Sequence, residues 1–321
     1  MKKVGVLVPH YSIIAAIGNT RYMFKMVNTF LKEIGKPPSF DVRLIAETPE
    51  ISLNDNLYTI QADHTFEEKE LFDLIIIPPT SGKMEASINV NAKTIKWVKH
   101  QYKNGADIAS LCVGAFLLAE TGLLNGKECS THWKTLNQFR ERYPLVKLKH
   151  HKTVTDTQGI YTSGGANTYW NLLIYLVKKF TCPEVALHTA KYFEVEPNLN
   201  DQSQFFIFNG NKSHKDDKVL EAQEYIEKNY TQGITLDQIC MLTKLPRRTF
   251  QRRFKRITHF TVIEYHQRVK VEAAKKLLEI NQKNISEIMF SVGYSDPKSF
   301  RAIFKKYTGL TPIQYKNRYS S

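Results

Sequence analysis

The stretch TFQRRFKRITHFTVIEY, residues 249–265, returns 50 residues later as SFRAIFKKYTGLTPIQY, residues 299–315. Seven of the seventeen positions are identical: Phe250/Phe300, Phe254/Phe304, Lys255/Lys305, Thr258/Thr308, Thr261/Thr311, Ile263/Ile313 and Tyr265/Tyr315. Similarity at a fixed offset signals one supersecondary unit used twice. Phe at i and i+4 marks one apolar helix face. Each copy follows a short helical segment and a turn, TLDQICMLTKLPRR (235–248) and ISEIMFSVGYSDPK (285–298). Helix, tight turn and second helix is the helix-turn-helix arrangement. Gly293 stands where the second turn needs a positive φ or a close approach. Asp296 and Pro297 offer a cap and a first helical residue. In the first copy Pro246 is expected at the first helical position, behind Leu245, a poor cap. Between the copies, Val262, Tyr265, Val269, Ala273 and Leu277 recur at spacings of 3 and 4, which predicts one long amphipathic helix that sets the distance between the two units.

In such a unit the second helix enters the major groove, and its first turns reach base edges. Those helices begin near Pro246 and Pro297. The expected contacts are Arg247, Arg248, Thr249, Gln251, Arg252 and Lys255 in the first copy, and Lys298, Ser299, Arg301 and Lys305 in the second. Arg pairs with guanine and Gln with adenine, while Lys255 and Lys305 lie further along, where phosphates run. Charge agrees with this reading. From Lys218 to Ser321 there are 20 Lys and Arg against 9 Asp and Glu, so this third of the chain holds most of the net +14. Basic helices are usually solvated faces of ordinary bundles, and the duplication weighs against that reading here.

Upstream the pattern changes. VGVLVP (4–9), DVRLIAE (41–47), FDLIIIPP (72–79) and ADIASLC (106–112) are short, apolar and rich in β-branched residues, as strands buried on both faces should be. Helical patterns lie between them near 22–31, 89–102 and 114–121. A strand with a Gly-Gly turn and a long amphipathic helix follows in GIYTSGGANTYWNLLIYLVKKF (159–180), and a last helix spans about 183–193. The expected fold is therefore α/β, with a flavodoxin-like parallel sheet covered by helices on both faces, plus an all-α C-terminal domain with two helix-turn-helix units. The expected boundaries are 1–195 for the α/β domain, 196–217 for a linker and 218–321 for the helical domain. Within the linker, residues 209–217 read as free chain, and FFIF (205–208) reads as a docked tail of the first domain.

The helical third resembles the DNA-binding domain of the AraC/XylS transcription regulators. GYSDPKSFRAIFKKYTGLTP (293–312) is very close to that family's signature, while the first copy departs from it at Leu245-Pro246 and at His259, where the second copy has Gly309. The first ~195 residues resemble the PfpI-like branch of the class I glutamine-amidotransferase-like superfamily, on LCVGAFLLAETGLLNGKECSTHW (111–133). The resemblance implies that Cys112 sits on a sharp strand-to-helix turn, where a helix N-terminus favours a thiolate.

A cysteine nucleophile needs a base within reach. PfpI-like hydrolases have His directly after the cysteine, and here that residue is Val113. Related members have a Glu near the first helix. The stretch IIAAIGNTRYMFKMVN (13–28) has no carboxylate, and Tyr22 aligns with that place. PPTSG (78–82) replaces the expected PGG turn, and Pro79 removes a backbone donor from any oxyanion site. His132 is the one remaining base. Cys112, His132 and Tyr22 thus form the candidate pocket, and the reading is of a transcription regulator that is not an enzyme. The alternative is an active cysteine hydrolase or lyase using Cys112 with His132.

Cys112, Cys129, Cys182 and Cys240 show no metal-binding spacing, and His150-His151 reads as part of a basic strand edge, so no metal or cofactor is expected. No apolar run is long enough to span a membrane. The expected partners are double-stranded DNA, a second copy of the chain, a small-molecule effector and RNA polymerase, in a cytoplasmic setting.

Overall fold

The computed structural model describes residues 1–196, 201–280 and 282–320, and divides the chain into two compact units, Met1–Gln202 and Ser203–Ser321. The first unit runs β1 (Lys2–Leu7), α1 (Ile14–Glu33), β2 (Phe40–Ala46), β3 (Glu50–Leu53), β4 (Tyr58–Gln61), β5 (His64–Thr65), β6 (Leu74–Ile77), α2 (Met84–Val90), α3 (Ala92–Lys103), β7 (Asp107–Ser110), α4 (Ala115–Glu120), β8 (Glu128–Cys129), α5 (Leu136–Arg142), β9 (Lys147–Leu148), β10 (Val154–Thr157), β11 (Ile160–Ser163), α6 (Tyr169–Phe180) and α7 (Pro183–Tyr192).

The main sheet has the order β10-β11-β7-β6-β1-β2-β5, parallel except for the antiparallel pair β10–β11. Its middle, β2-β1-β6-β7-β11, is the flavodoxin-like order, which reverses between β1 and β6. Residues alternate between two apolar layers. Val4, Val6, Leu74 and Ile76 face α1, α6 and α7, while Leu7, Ile75 and Ile77 face α3, α4 and α5 through Trp97, Phe116 and Phe139. The apolar runs predicted the inner strands. The hairpin β3–β4 and the short strands β5, β8 and β10 were not anticipated, and the basic strand expected around His150-His151 shortens to β9, with both histidines in the turn that follows it. These strands are two to four residues long and partly exposed, so neither apolar runs nor strict alternation mark them.

The second unit runs α8 (Asp217–Lys228), α9 (Leu236–Thr243), α10 (Arg247–Thr258), α11 (Val262–Ile280), α12 (Ile285–Ser291), α13 (Pro297–Thr308) and α14 (Pro312–Tyr319). Its core is built in two halves. Phe250, Phe254 and Tyr265 pack with α8 and α9, and Phe300, Phe304 and Tyr315 pack with α12 and the far end of α11. The long helix α11 is not one simple stripe. Val262, Tyr265 and Val269 serve the first half, and Val271, Ala274 and Leu278 serve the second.

Three sequence expectations change here. FFIF belongs to the helical unit and not to the α/β unit: Phe208 lies edge-on to Phe260 and Tyr265, and the carbonyl of Phe206 accepts a hydrogen bond from Lys275 Nζ. The segment 209–216 is tied down, because Gln223 Nε2 donates to Gly210 O and Asp216 caps α8 at the Val219 amide. Of the expected linker, 197–200 lie outside the described residues. Pro246 is the cap residue of α10 rather than its first residue, and makes no side-chain bond there. Asp296 does cap α13, accepting from the amides of Lys298 and Ser299.

Candidate nucleic-acid interface and the Cys112 turn

The two helix-turn-helix units repeat their hydrogen bonds as well as their residues. Capping boxes open α9 (Thr235 with Gln238) and α12 (Asn284 with Glu287). Thr258 and Thr308 each donate to the carbonyl four residues earlier and accept the amide two residues later. α10 and α13 both end in the left-handed region, at His259 (φ 66°) and Gly309 (φ 75°). The turns inside the units carry Lys244 at φ 57° and Gly293 at φ 78°.

Burying Phe250, Phe254 and Thr258 turns the opposite side of α10 outward. Arg247, Arg248, Thr249, Gln251, Arg252 and Lys255 are all exposed there. α13 buries Phe300, Phe304 and Tyr307, and exposes Lys298, Ser299, Arg301 and Lys305. Arg248, Arg252 and Lys255 stand at i, i+4 and i+7, and Lys298, Arg301 and Lys305 at i, i+3 and i+7, so each set shares a face. By the 50-residue offset Arg248 corresponds to Lys298 and Gln251 to Arg301, so equivalent positions carry different base-reading chemistry. Arg247 lies 3.5 Å from Asp237, with both largely exposed, a contact worth little. Arg253 is half-buried against Asp216 and belongs to the packing. Arg256 and Lys306 are exposed beside Lys255 and Lys305. They were missed, although the repeat placed a cation at both positions.

In the α/β unit Cys112 follows β7 with φ 55°, a left-handed conformation that costs roughly 1 kcal/mol or more. Its amide donates to Ser163 Oγ at 3.3 Å, and its carbonyl accepts from Thr131 Oγ1 at 3.1 Å. Gly114 is required two residues on, since a Cβ there would stand 2.7 and 2.8 Å from the carbonyl oxygens of Ile77 and Pro78. The sharp turn expected from the sequence is thus present, but the favoured thiolate is not. Burial pushes the Cys112 thiol up to about 12, and the Val113 amide opposes this only weakly. The elements that follow are a single 3-10 turn (Cys112–Gly114) and the six-residue α4, too short to offset the loss of water.

His132 does not act on Cys112 by hydrogen bonding. Its Nδ1 accepts the Lys134 amide at 3.1 Å, capping a 3-10 turn, and its ring stacks on Trp133. Burial, and then the Lys134 charge, hold its pKa below the ordinary histidine value. Tyr22 is placed elsewhere: it is exposed, its hydroxyl lies 3.0 Å from that of Tyr192, and its ring meets Phe193 edge-on. One helical turn earlier, Asn19 Nδ2 donates to the Tyr169 hydroxyl at 2.9 Å. Burial raises the Tyr169 pKa, and proximity to Cys112 adds to it. Ser163 and Thr131 bond the Cys112 backbone, Tyr169 lies near its thiol and Asn19 bonds Tyr169, all of them neutral groups. Their contacts run between distant segments, so no spacing in the chain announced them.

Gln202 completes this region. It is fully buried; its Oε1 accepts the Gly165 amide at 3.0 Å, and its Nε2 lies within hydrogen-bond reach of Ser130 Oγ and of the Thr131, His150 and Lys152 carbonyls. A separate groove of about 610 Å³ is lined by His10, Tyr11, Ser81, Val90 and the β3–β4 loop. It lies where β1 and β6 end, at the topological switch point where doubly wound sheets take ligands. Among the described residues no group of side chains could hold a metal ion, and no helix is long and apolar enough to cross a membrane.

A sheet that reverses between β1 and β6, with a cysteine elbow after β7, defines one domain class, and a duplicated helix-turn-helix defines another. The model of the DJ-1/PfpI family matches residues 33–179, and that of a helix-turn-helix domain matches 239–318. The chain joins a DJ-1/PfpI-family domain to an AraC-type helix-turn-helix domain. It is 24% identical over 225 residues to the HTH-type transcriptional regulator GbdR of Pseudomonas aeruginosa, which covers 70% of this chain and 61% of that protein. The chain thus spans about three fifths of the length of this relative. It is 39% identical over 93 residues to the bifunctional transcriptional activator/DNA repair enzyme AdaA of Bacillus subtilis, covering 29% of this chain and 44% of that one. Among solved structures, a THiJ/PfpI family protein from Pseudomonas syringae superposes with a TM-score of 0.51 at 16% identity, over 66% of this chain and 79% of that one, a likeness of fold.

Proposed function

We propose that the protein is a sequence-specific, DNA-binding transcription regulator whose helical unit reads double-stranded DNA and whose α/β unit senses a signal or pairs two chains. The observation that carries this is the duplicated cationic face. In both copies the Phe face is buried, and Arg or Lys is exposed one, two and three turns along the second helix. Arg248, Arg252 and Gln251, with Lys298 and Arg301, are assigned to base edges. Lys255 and Lys305, joined by Arg256 and Lys306, are assigned to phosphates. The partners that complete the reading are a second copy of the chain, a small-molecule effector at the groove beside His10 and Ser81, and RNA polymerase, in the cytoplasm. The test is selection of bound DNA from a random pool by the full chain. Enrichment of a site with two conserved segments about one helical turn apart supports the reading, and recovery of no sequence above background removes it.

What weighs against a cysteine hydrolase is chemical. A thiol whose pKa is near 12 is almost wholly protonated at neutral pH, and His132 already spends Nδ1 on the Lys134 amide.

A further inference from the structure

Two recognition helices read one DNA face only if their separation and their rotation about the duplex both match the helical repeat of ~10–10.5 base pairs. Apolar packing sets separation loosely, because it has no direction. Directional contacts must set the rotation. On α11, His266 and Lys270 stand one turn apart and share a face. His266 Nε2 lies 2.7 Å from the carbonyl of Tyr230, in the segment that leads from α8 to α9 of the first copy. Lys270 Nζ donates to the carbonyl of Gly293, in the turn of the second copy, at 2.9 Å. The two copies also meet at that turn, since a Cβ on Gly293 would stand 2.0 Å from the carbonyl oxygen of Thr231.

Lys270 is an unusual residue for this place. It is 8% exposed, and its ammonium sits 4.9 Å from the Tyr294 ring centre. Among the described residues no carboxylate forms an ion pair with it. Burying a cation without a counter-ion is costly, and an apolar side chain of similar length would fill the space at lower cost. What an apolar chain cannot do is bond the Gly293 carbonyl. Neighbouring contacts act in the same direction: Tyr307 donates to Gln267 Oε1 at 2.8 Å, and the Arg268 guanidinium lies between the Phe260 and Tyr307 rings at 4.5 and 4.4 Å.

We infer that Lys270, with His266, is a positioning residue that fixes the phase between the two recognition helices, and so determines the spacing of the two DNA segments the protein accepts. The inference rests on the DNA-binding reading above. It assigns no contact with DNA to either residue.

The experiment uses the full chain and three forms of the selected site: unaltered, and with one base pair added or removed between its two segments. One base pair turns the second segment by about 35°. The wild type is expected to favour the unaltered site strongly. Lys270→Met is expected to lose about tenfold of that preference, what one hydrogen bond to a charged group is worth. Lys270→Arg, which keeps a donor, should retain most of it. His266→Phe, which cuts the tie from the other copy, should lower the preference as Lys270→Met does, and guards against a Lys270→Met protein that fails to fold. Loss of affinity for all three sites alike, with the preference unchanged in both variants, would overturn the inference while leaving DNA binding intact. A wild-type chain that binds none of the sites removes the DNA-binding reading itself.

Discussion

The side-chain oxygen of Gln202 occupies the place that a Cβ on Gly164 would take, 1.9 Å from it, and bonds the next amide, Gly165, at 3.0 Å. The last residue of the α/β unit is therefore built into that unit's interior. Removing it leaves the buried Gly165 amide without its partner and takes a donor from the cluster of buried acceptors around Nε2, an unsatisfied buried group costing about 1–3 kcal/mol. Gln202→Ala is expected to destabilise the α/β unit by roughly 2–3 kcal/mol, lowering its melting temperature by about 5–10 °C. Calorimetry of the full chain checks this, and an unchanged α/β transition would refute it.

Cys112 is expected to be inert as a nucleophile. Its thiol is pushed up to about 12, so iodoacetamide at pH 7.5 should label Cys182 and Cys240, both partly exposed, long before Cys112. Cys112→Ser should leave DNA binding unchanged. The pH dependence follows with a definite sign. Cys112 and Cys129 both hold their protons to about 12 in the fold, whereas an unfolded thiol releases its proton near 8.5. Above that pH the unfolded state binds fewer protons, so stability falls as pH rises, by up to ~1.4 kcal/mol per unit for each thiol. Replacing Cys129 by Ala should flatten this loss between pH 9 and 11 in urea titrations. An equal slope in wild type and variant would contradict the assignment.

Reading and holding separate by mutation. Arg248→Ala or Arg301→Ala is expected to cost roughly 1–3 kcal/mol on the preferred site and to relax base preference there. Lys255→Ala or Lys305→Ala should weaken preferred and scrambled DNA alike and lower the salt slope by about one. Binding across a salt series distinguishes the two. Equal weakening of preferred and scrambled DNA by both Arg variants would move these helices from base edges to the backbone.

The helical unit should need the segment before α8. A fragment from residue 203 retains Phe208 against Phe260 and Tyr265, the Lys275 bond to Phe206 O and the Asp216 cap. A fragment from residue 218 loses all of them, and is expected to be less stable by at least ~2 kcal/mol from the aromatic burial alone. Denaturant midpoints of the two fragments decide the matter, and equal midpoints would show the segment to be dispensable.

The helical unit was the more legible part of the chain. Its signals are local: Phe at i and i+4, a capping Asp before Pro297, and a glycine where φ is positive. Even Gly309 and His259, at one position of the repeat, adopt one conformation. The FFIF segment was misassigned because aromatic residues state that they will be buried, not by which neighbour. The Cys112 turn was half legible. Gly114 and the preceding apolar strand announce an elbow, but burial of the thiol and the placement of Asn19, rather than Tyr22, toward Tyr169 depend on how α1 and α6 meet. Gln202 lies in a polar run with no periodicity, and its five partners come from three separate segments.

The two helix-turn-helix copies differ in one respect that bears on how the unit opens. Where the second copy has glycine at both left-handed positions, Gly293 and Gly309, the first has Lys244 and His259. Each non-glycine residue in that conformation costs roughly 1–2 kcal/mol, so the first copy carries strain that the second lacks. Local opening draws on the least stable segments first. Amides around α9 and α10 should therefore exchange with solvent ahead of those around α12 and α13, and breathing of the duplicated unit would begin at one end.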